Sequence, residues 1–178
     1  RLNSGSVKLS PMELRMSLYP GPFLKYAIEK TETHSAIHKL LKLSRPDRRM
    51  ADVEILVRHL AFQDDSLVYR GNLKLFLDDI CENYNRKFED AAFRQEVELK
   101  DNALIASVSA AQTIFGQDVC RKRKGGEFEN RFNRAVFDIV IGSLANPEMR
   151  ALALDQPAEF KNAFIELSDN DVRFVEAL

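Results

Sequence analysis

The chain has 178 residues, of which 45% are hydrophobic and 30% charged, with a formal net charge of -1. That size bounds one domain or one lobe of a larger protein, and the composition excludes disorder. The near-zero charge excludes a polycation, so contact with nucleic acid has to rest on local basic patches.

Gly (7) and Pro (6) are few, while Leu, Ala, Glu, Lys and Arg abound, which favours helices. No apolar run reaches the 18 or more residues of a membrane span, and no signal peptide is visible. Cys81 and Cys120 lie far apart and outside any Cys-x-x-Cys pattern. Cys81 sits at an apolar helical position and reads as a buried thiol, and the pair reads as cysteines of a cytoplasmic protein, with no zinc site and no disulfide framework.

In chain order, Ser10-Pro11-Met12-Glu13 is a capping box with Pro at the first helical position. It predicts a helix to Leu18, ended by Tyr19-Pro20-Gly21-Pro22, because a proline disfavours helical angles in the residue before it. Further helices are expected over 22–30 and 33–43. From Ala51 to Phe62, Val53, Leu56, Val57 and Leu60 recur at the i, i+3, i+4, i+7 spacing of one helical face. Gly71-Asn72 opens a helix bearing Leu73, Phe76, Leu77, Ile80, Cys81 and Tyr84. A long helical pattern spans 88–115, with Lys100 and Asp101 as a candidate kink. Another helix is expected over 127–144, with Phe128, Phe132, Val136, Ile139 and Val140 on one face. Asn146-Pro147, Gln156-Pro157 and Ser168–Asp171 read as further helix starts. No period-2 run stands out. The expected fold class is all-α, an irregular multi-helix bundle of about ten helices.

Three segments carry candidate chemistry. Arg1, Asn3, Ser4 and Gly5 form an opening loop. They read either as a flexible connector or as a phosphate- or nucleotide-lining loop, with Arg as the charged fork and Gly allowing close backbone approach. Arg48 and Arg49 sit in a ten-residue stretch of three arginines and three acids. They are either phosphate contacts or partners of nearby carboxylates, with Asp47 or Asp52 capping the next helix. Arg121, Lys122, Arg123 and Lys124, followed by Gly125-Gly126, form the densest basic run. It is either a mobile loop that meets nucleic-acid backbone or a solvated loop. His34 and His38 share a helix face, but no third ligand is near and no metal site is expected. Adjacent acids such as Asp64-Asp65 and Asp78-Asp79 point different ways and make poor acid/base pairs. No catalytic constellation is read from the residues.

The ordered segments "RLNSGSVKLSPMELR", "YPGPF", "RRMADVEILVRHLAF", "YRGNLKLFL" and "FNRAVFD" resemble the GmrSD-type restriction endonuclease N-terminal domain family, related to ParB/sulfiredoxin-like folds. In that family an α/β lobe with an Asp-Gly-Gln-Gln-Arg motif, tied to nucleotide binding and hydrolysis, precedes a helical lobe. Some members add an HNH nuclease domain, and members are associated with DNA restriction and phage defence. The resemblance implies that residues 1–9 are a junction loop from an upstream α/β lobe and 10–178 the helical lobe. It implies that Arg1 and Asn3 face the nucleotide pocket of that upstream lobe, although Ser6 stands where the family has a second Gly. No cofactor is expected in this segment, and an NTP is expected in the parent protein. The expected partners are the upstream lobe and DNA. A non-catalytic interaction or homodimerisation module is the alternative.

Overall fold

A computed structural model describes residues 8–177. Among them are ten α-helices and one antiparallel hairpin, so the fold is mostly α. No helix among the described residues is long and apolar enough to cross a membrane. Arg1, Asn3, Ser4 and Gly5 lie outside the described residues.

Helix α1 (Pro11–Leu18) starts on the expected capping box: Glu13 N–H donates to Ser10 Oγ, and Ser10 N–H donates to the Glu13 carboxylate. Helix α2 (Pro22–Thr31) has no side chain of its own at the cap, because Gly21 precedes it. Asn85 caps it from a distance. Its Oδ1 accepts from Phe23 and Leu24 N–H, and its Nδ2 donates to Tyr19 O. A β-carbon at position 21 would overlap the Asn85 amide, which is why glycine stands there. Helix α3 (Ser35–Leu41) ends at Lys42 in the left-handed region, φ 56°.

Helix α4 (Ala51–Phe62) is the hub. Residues Val53, Ile55, Leu56, Val57, Leu60 and Ala61 are all buried, and α1, α2 and α3 pack against it. So do α5 (Leu73–Lys87), α6 (Ala91–Phe115) and α7 (Arg134–Ala145). Helix α6 runs unbroken through Lys100 and Asp101, the candidate kink. Asp101 is fully buried there, with His34 and Lys30 reaching its carboxylate.

The expected helix over 127–144 is corrected. Strand β1 (Arg121–Lys124) pairs with β2 (Glu127–Phe132), and only then does α7 begin, capped by Asn133. Phe128 and Phe132 are four apart, a spacing that lies on one face of a helix and equally on one face of a strand. Gly125 (φ 60°) and Gly126 (φ 84°) decide between the two, since left-handed glycines at both central positions turn a hairpin. The basic run is therefore a strand rather than a mobile loop.

Helices α8 (Pro147–Asp155), α9 (Pro157–Asn170) and α10 (Val172–Ala177) close the bundle. Phe164 of α9 gathers Phe115, Phe128 and Phe174 around it at centroid distances of 5.4, 6.4 and 5.9 Å. This aromatic cluster ties the hairpin and the last helices to the end of α6.

Arg15 of α1 enters the core and meets Asp78 of α5, Nε to Oδ1 at 2.8 Å, with both side chains about 5% exposed. Lys74 completes the group at 2.7 Å from Asp78 Oδ2. Removing one member of a buried pair strands the other charge. Asp78→Ala is therefore expected to cost about 3 kcal/mol in urea unfolding. Glu82→Ala, which removes an exposed partner of Arg86 (3.8 Å), is expected to cost less than about 0.5 kcal/mol.

Candidate functional site

The basic strand is less available to an anion than its composition implies. Arg121 Nη1 lies 3.5 Å from Asp118 Oδ1. Arg123 Nε lies 3.0 and 2.9 Å from the two oxygens of Asp169 on α9, and its guanidinium sits 5.5 Å from the Phe128 ring centre. Both arginines are thus structural as well as charged: they fasten the hairpin to the bundle. Lys122 and Lys124 make no ion pair among the described residues, and Lys124 is exposed. Of the four sequence candidates in this run, these two are placed to meet phosphate without first giving up a carboxylate.

The second basic segment is likewise divided. Asp47 Oδ1 accepts from Arg49 N–H (2.7 Å) and Ala51 N–H (3.4 Å), which ties the loop to the first residue of α4, but the N-cap position itself is held by Met50, whose side chain makes no cap bond, and not by Asp47 or Asp52. Asp52 Oδ2 accepts in turn from Asp47 N–H at 3.0 Å. Arg49 reaches back to the segment before α1. Its Nη2 donates to Lys8 O at 2.6 Å, its Nε lies 3.1 Å from Glu13 Oε2, and Ser10 Oγ donates to Arg49 O at 2.9 Å. The Ser10 amide, the largest influence, together with Arg49 holds the Glu13 carboxyl below its ordinary range. Arg49 is thus a clasp, whereas Arg48 is exposed and without an ion-pair partner among the described residues.

The structure also gathers polar groups that sequence spacing could not pair. His34 Nε2 lies 2.8 Å from Asp101 Oδ1, and its Nδ1 accepts from Ile37 N–H at the start of α3. The helix cap occupies the Nδ1 lone pair, so the ring's proton is on Nε2, directed at Asp101. Lys30 Nζ stands 3.1 Å from the other Asp101 oxygen. Burial works against the Asp101 charge, but the bonds from His34 and Lys30 outweigh it and hold the carboxyl below its usual range. An Asp–His contact of this kind resembles part of a catalytic triad. Here the nitrogen that would accept a substrate proton is spent on the backbone, and the group is sealed in the core.

Arg58 makes a forked bond to Asp138 on α7, with Nε to Oδ1 at 3.0 Å, and Glu54 Oε1 lies 3.7 Å from its Nη1. Burial pushes the Cys81 thiol up to about 12 and Cys120 higher still, so neither is a nucleophile at neutral pH. His38 sits 3.6 Å from Asp52, away from His34's partner, and the two histidines share no ligand geometry.

Comparison with protein-family models, curated proteins and solved structures finds no match to this chain.

His59 on α4 donates from Nε2 to Lys100 O at 3.1 Å, and burial lowers its pKa from 6.5 to about 4. The folded state thus binds its proton less readily than the unfolded chain does. The contribution is complete above about pH 6.5 and is lost as pH falls toward 4. Unfolding free energy is expected to drop by about 3 kcal/mol across that window through this residue. His59→Gln, which keeps a donor for Lys100 O, is expected to flatten that part of the curve. Identical slopes for both proteins in urea titrations at a series of pH values would contradict it.

Proposed function

We propose that this chain is the helical accessory lobe of a GmrSD-like, NTP-dependent DNA restriction or nuclease protein of the cytoplasm. In this reading it braces an upstream α/β lobe that carries nucleotide hydrolysis, and this segment itself performs no chemistry. The observation that carries the reading is the clasp around Arg49. Two of the segments behind the family resemblance, "SPMELR" and "RRMADVE", are joined in space by Arg49, Ser10 and Glu13. Such a clasp would aim the segment before α1 from a rigid support, which a lobe-to-lobe junction requires. Leu14 and Leu18, one turn apart on α1, are 44% and 62% exposed and would offer apolar surface to the lobe being braced.

DNA contact, in this reading, falls to Arg48, Lys122 and Lys124, while Arg49, Arg121 and Arg123 serve mainly as fasteners. An interaction or dimerisation module is the second reading. It is favoured by Met149, Leu152 and Leu154 on α8 and Leu167 on α9, each more than two-fifths exposed.

The gene decides first: an Asp-Gly-Gln-Gln-Arg motif is expected in the coding sequence upstream of Arg1, and an upstream region without it overturns the assignment. DNA contact is read by fluorescence anisotropy with a labelled duplex across a salt series. Lys122→Ala/Lys124→Ala is expected to weaken binding for all sequences alike and to lower the log–log salt slope by about 2. An unchanged slope removes the hairpin from the interface. Weak binding without salt dependence, together with a concentration-dependent dimer, favours the second reading.

A further inference from the structure

A cleft of about 380 Å³ opens between the C-terminal ends of α3 and α6 and the hairpin. That volume falls in the range of small-ligand sites, roughly 300–1,000 Å³. Its lining is chemically one-sided. Lys39, Lys42 and Arg121 face it, and no carboxylate does among the described residues. Lys39 and Lys42 are exposed and make no ion pair among the described residues. The partner of Arg121, Asp118, is shared with Lys161 at 3.7 Å, so Arg121 is only partly neutralised.

The two helix ends oppose this charge. Each C-terminus carries about -0.5 of an elementary charge, which the charges of Lys39 and Lys42, with the remainder left on Arg121, outweigh. An anion is therefore the favoured occupant. The remaining groups narrow its kind. The amides of Gln112 and Asn130 supply both donors and acceptors, as the edge of a base would require. Phe132 contributes a half-buried ring, the sort of surface on which a planar group stacks.

We propose that this cleft binds a nucleoside phosphate, with its phosphates against Lys39, Lys42 and Arg121 and its base against Phe132. The proposal does not rest on the restriction-protein reading.

Isothermal titration of the 178-residue chain with ADP tests it, with inorganic pyrophosphate as the probe that lacks a base. ADP is expected to bind more tightly than pyrophosphate, and both more weakly as salt rises. Lys39→Ala/Lys42→Ala alters exposed side chains and is expected to keep the helical circular dichroism while lowering affinity for both probes roughly tenfold or more. Phe132→Leu is expected to weaken ADP and leave pyrophosphate unchanged. Absence of ADP binding would overturn the proposal, as would equal affinity for the two probes. An affinity indifferent to the loss of both lysines would do the same.

Discussion

Helix α4 imposes the constraint on which the rest of the structure depends. It is covered on all sides, yet Asp52, Arg58 and His59 are polar and each is no more than 4% exposed. Buried polar groups without partners are costly, so α4 can hold its central place only if neighbouring elements bring partners to it. They do, from separate directions. The Asp47 amide meets Asp52, Asp138 of α7 meets Arg58, and the Lys100 carbonyl of α6 meets His59. The Arg58 and His59 contacts tie α7 and α6 to the hub, and the Asp47 contact folds the lead-in loop of α4 onto it. The apolar core fills the space between these contacts.

The same logic connects the frame to the candidate sites. The loop that satisfies Asp52 contains Arg49, and Arg49 in turn holds Lys8 and Glu13. The buried hub is thereby linked to the surface segment before α1 through a short series of hydrogen bonds. On the other side, α6 carries Asp101 into the core near its middle and delivers Phe115 and Gln112 to the hairpin and the cleft at its C-terminal end. Charge on the hairpin is divided between fastening and display. Two arginines answer to Asp118 and Asp169, and two lysines do not.

Helix starts were largely legible because their signals are local. Ser10 and Glu13 are three residues apart, Pro147 and Pro157 stand at first helical positions, and α4 occupies the predicted span of 51–62. The hairpin was not legible from its aromatic residues, because Phe128 and Phe132 fit either period. The Gly125-Gly126 pair was the signal that could have found it. The functional groups were read less well than the elements. Arg49 and Lys8 are 41 residues apart, and His34 and Asp101 are 67 apart. No spacing rule reaches that far, so a basic run looks alike in sequence whether its charges are shown to solvent or spent on carboxylates. Lys39 and Lys42 were not legible as a site because two lysines at the end of a short helix are ordinary until a third cation and an aromatic ring are folded beside them.

The most direct measurement is a double-mutant cycle on Arg58 and Asp138, the pair that joins the hub to α7. Arg58→Met, Asp138→Leu and the combined variant would be compared by urea unfolding. If satisfied polar contacts set the position of α4, each single change deprives a buried charge of its main partner, and the combined variant recovers much of the loss. The expected coupling is about 2 kcal/mol or more. Losses that simply add, with coupling below about 0.5 kcal/mol, would show that apolar packing alone positions the hub and would contradict the account.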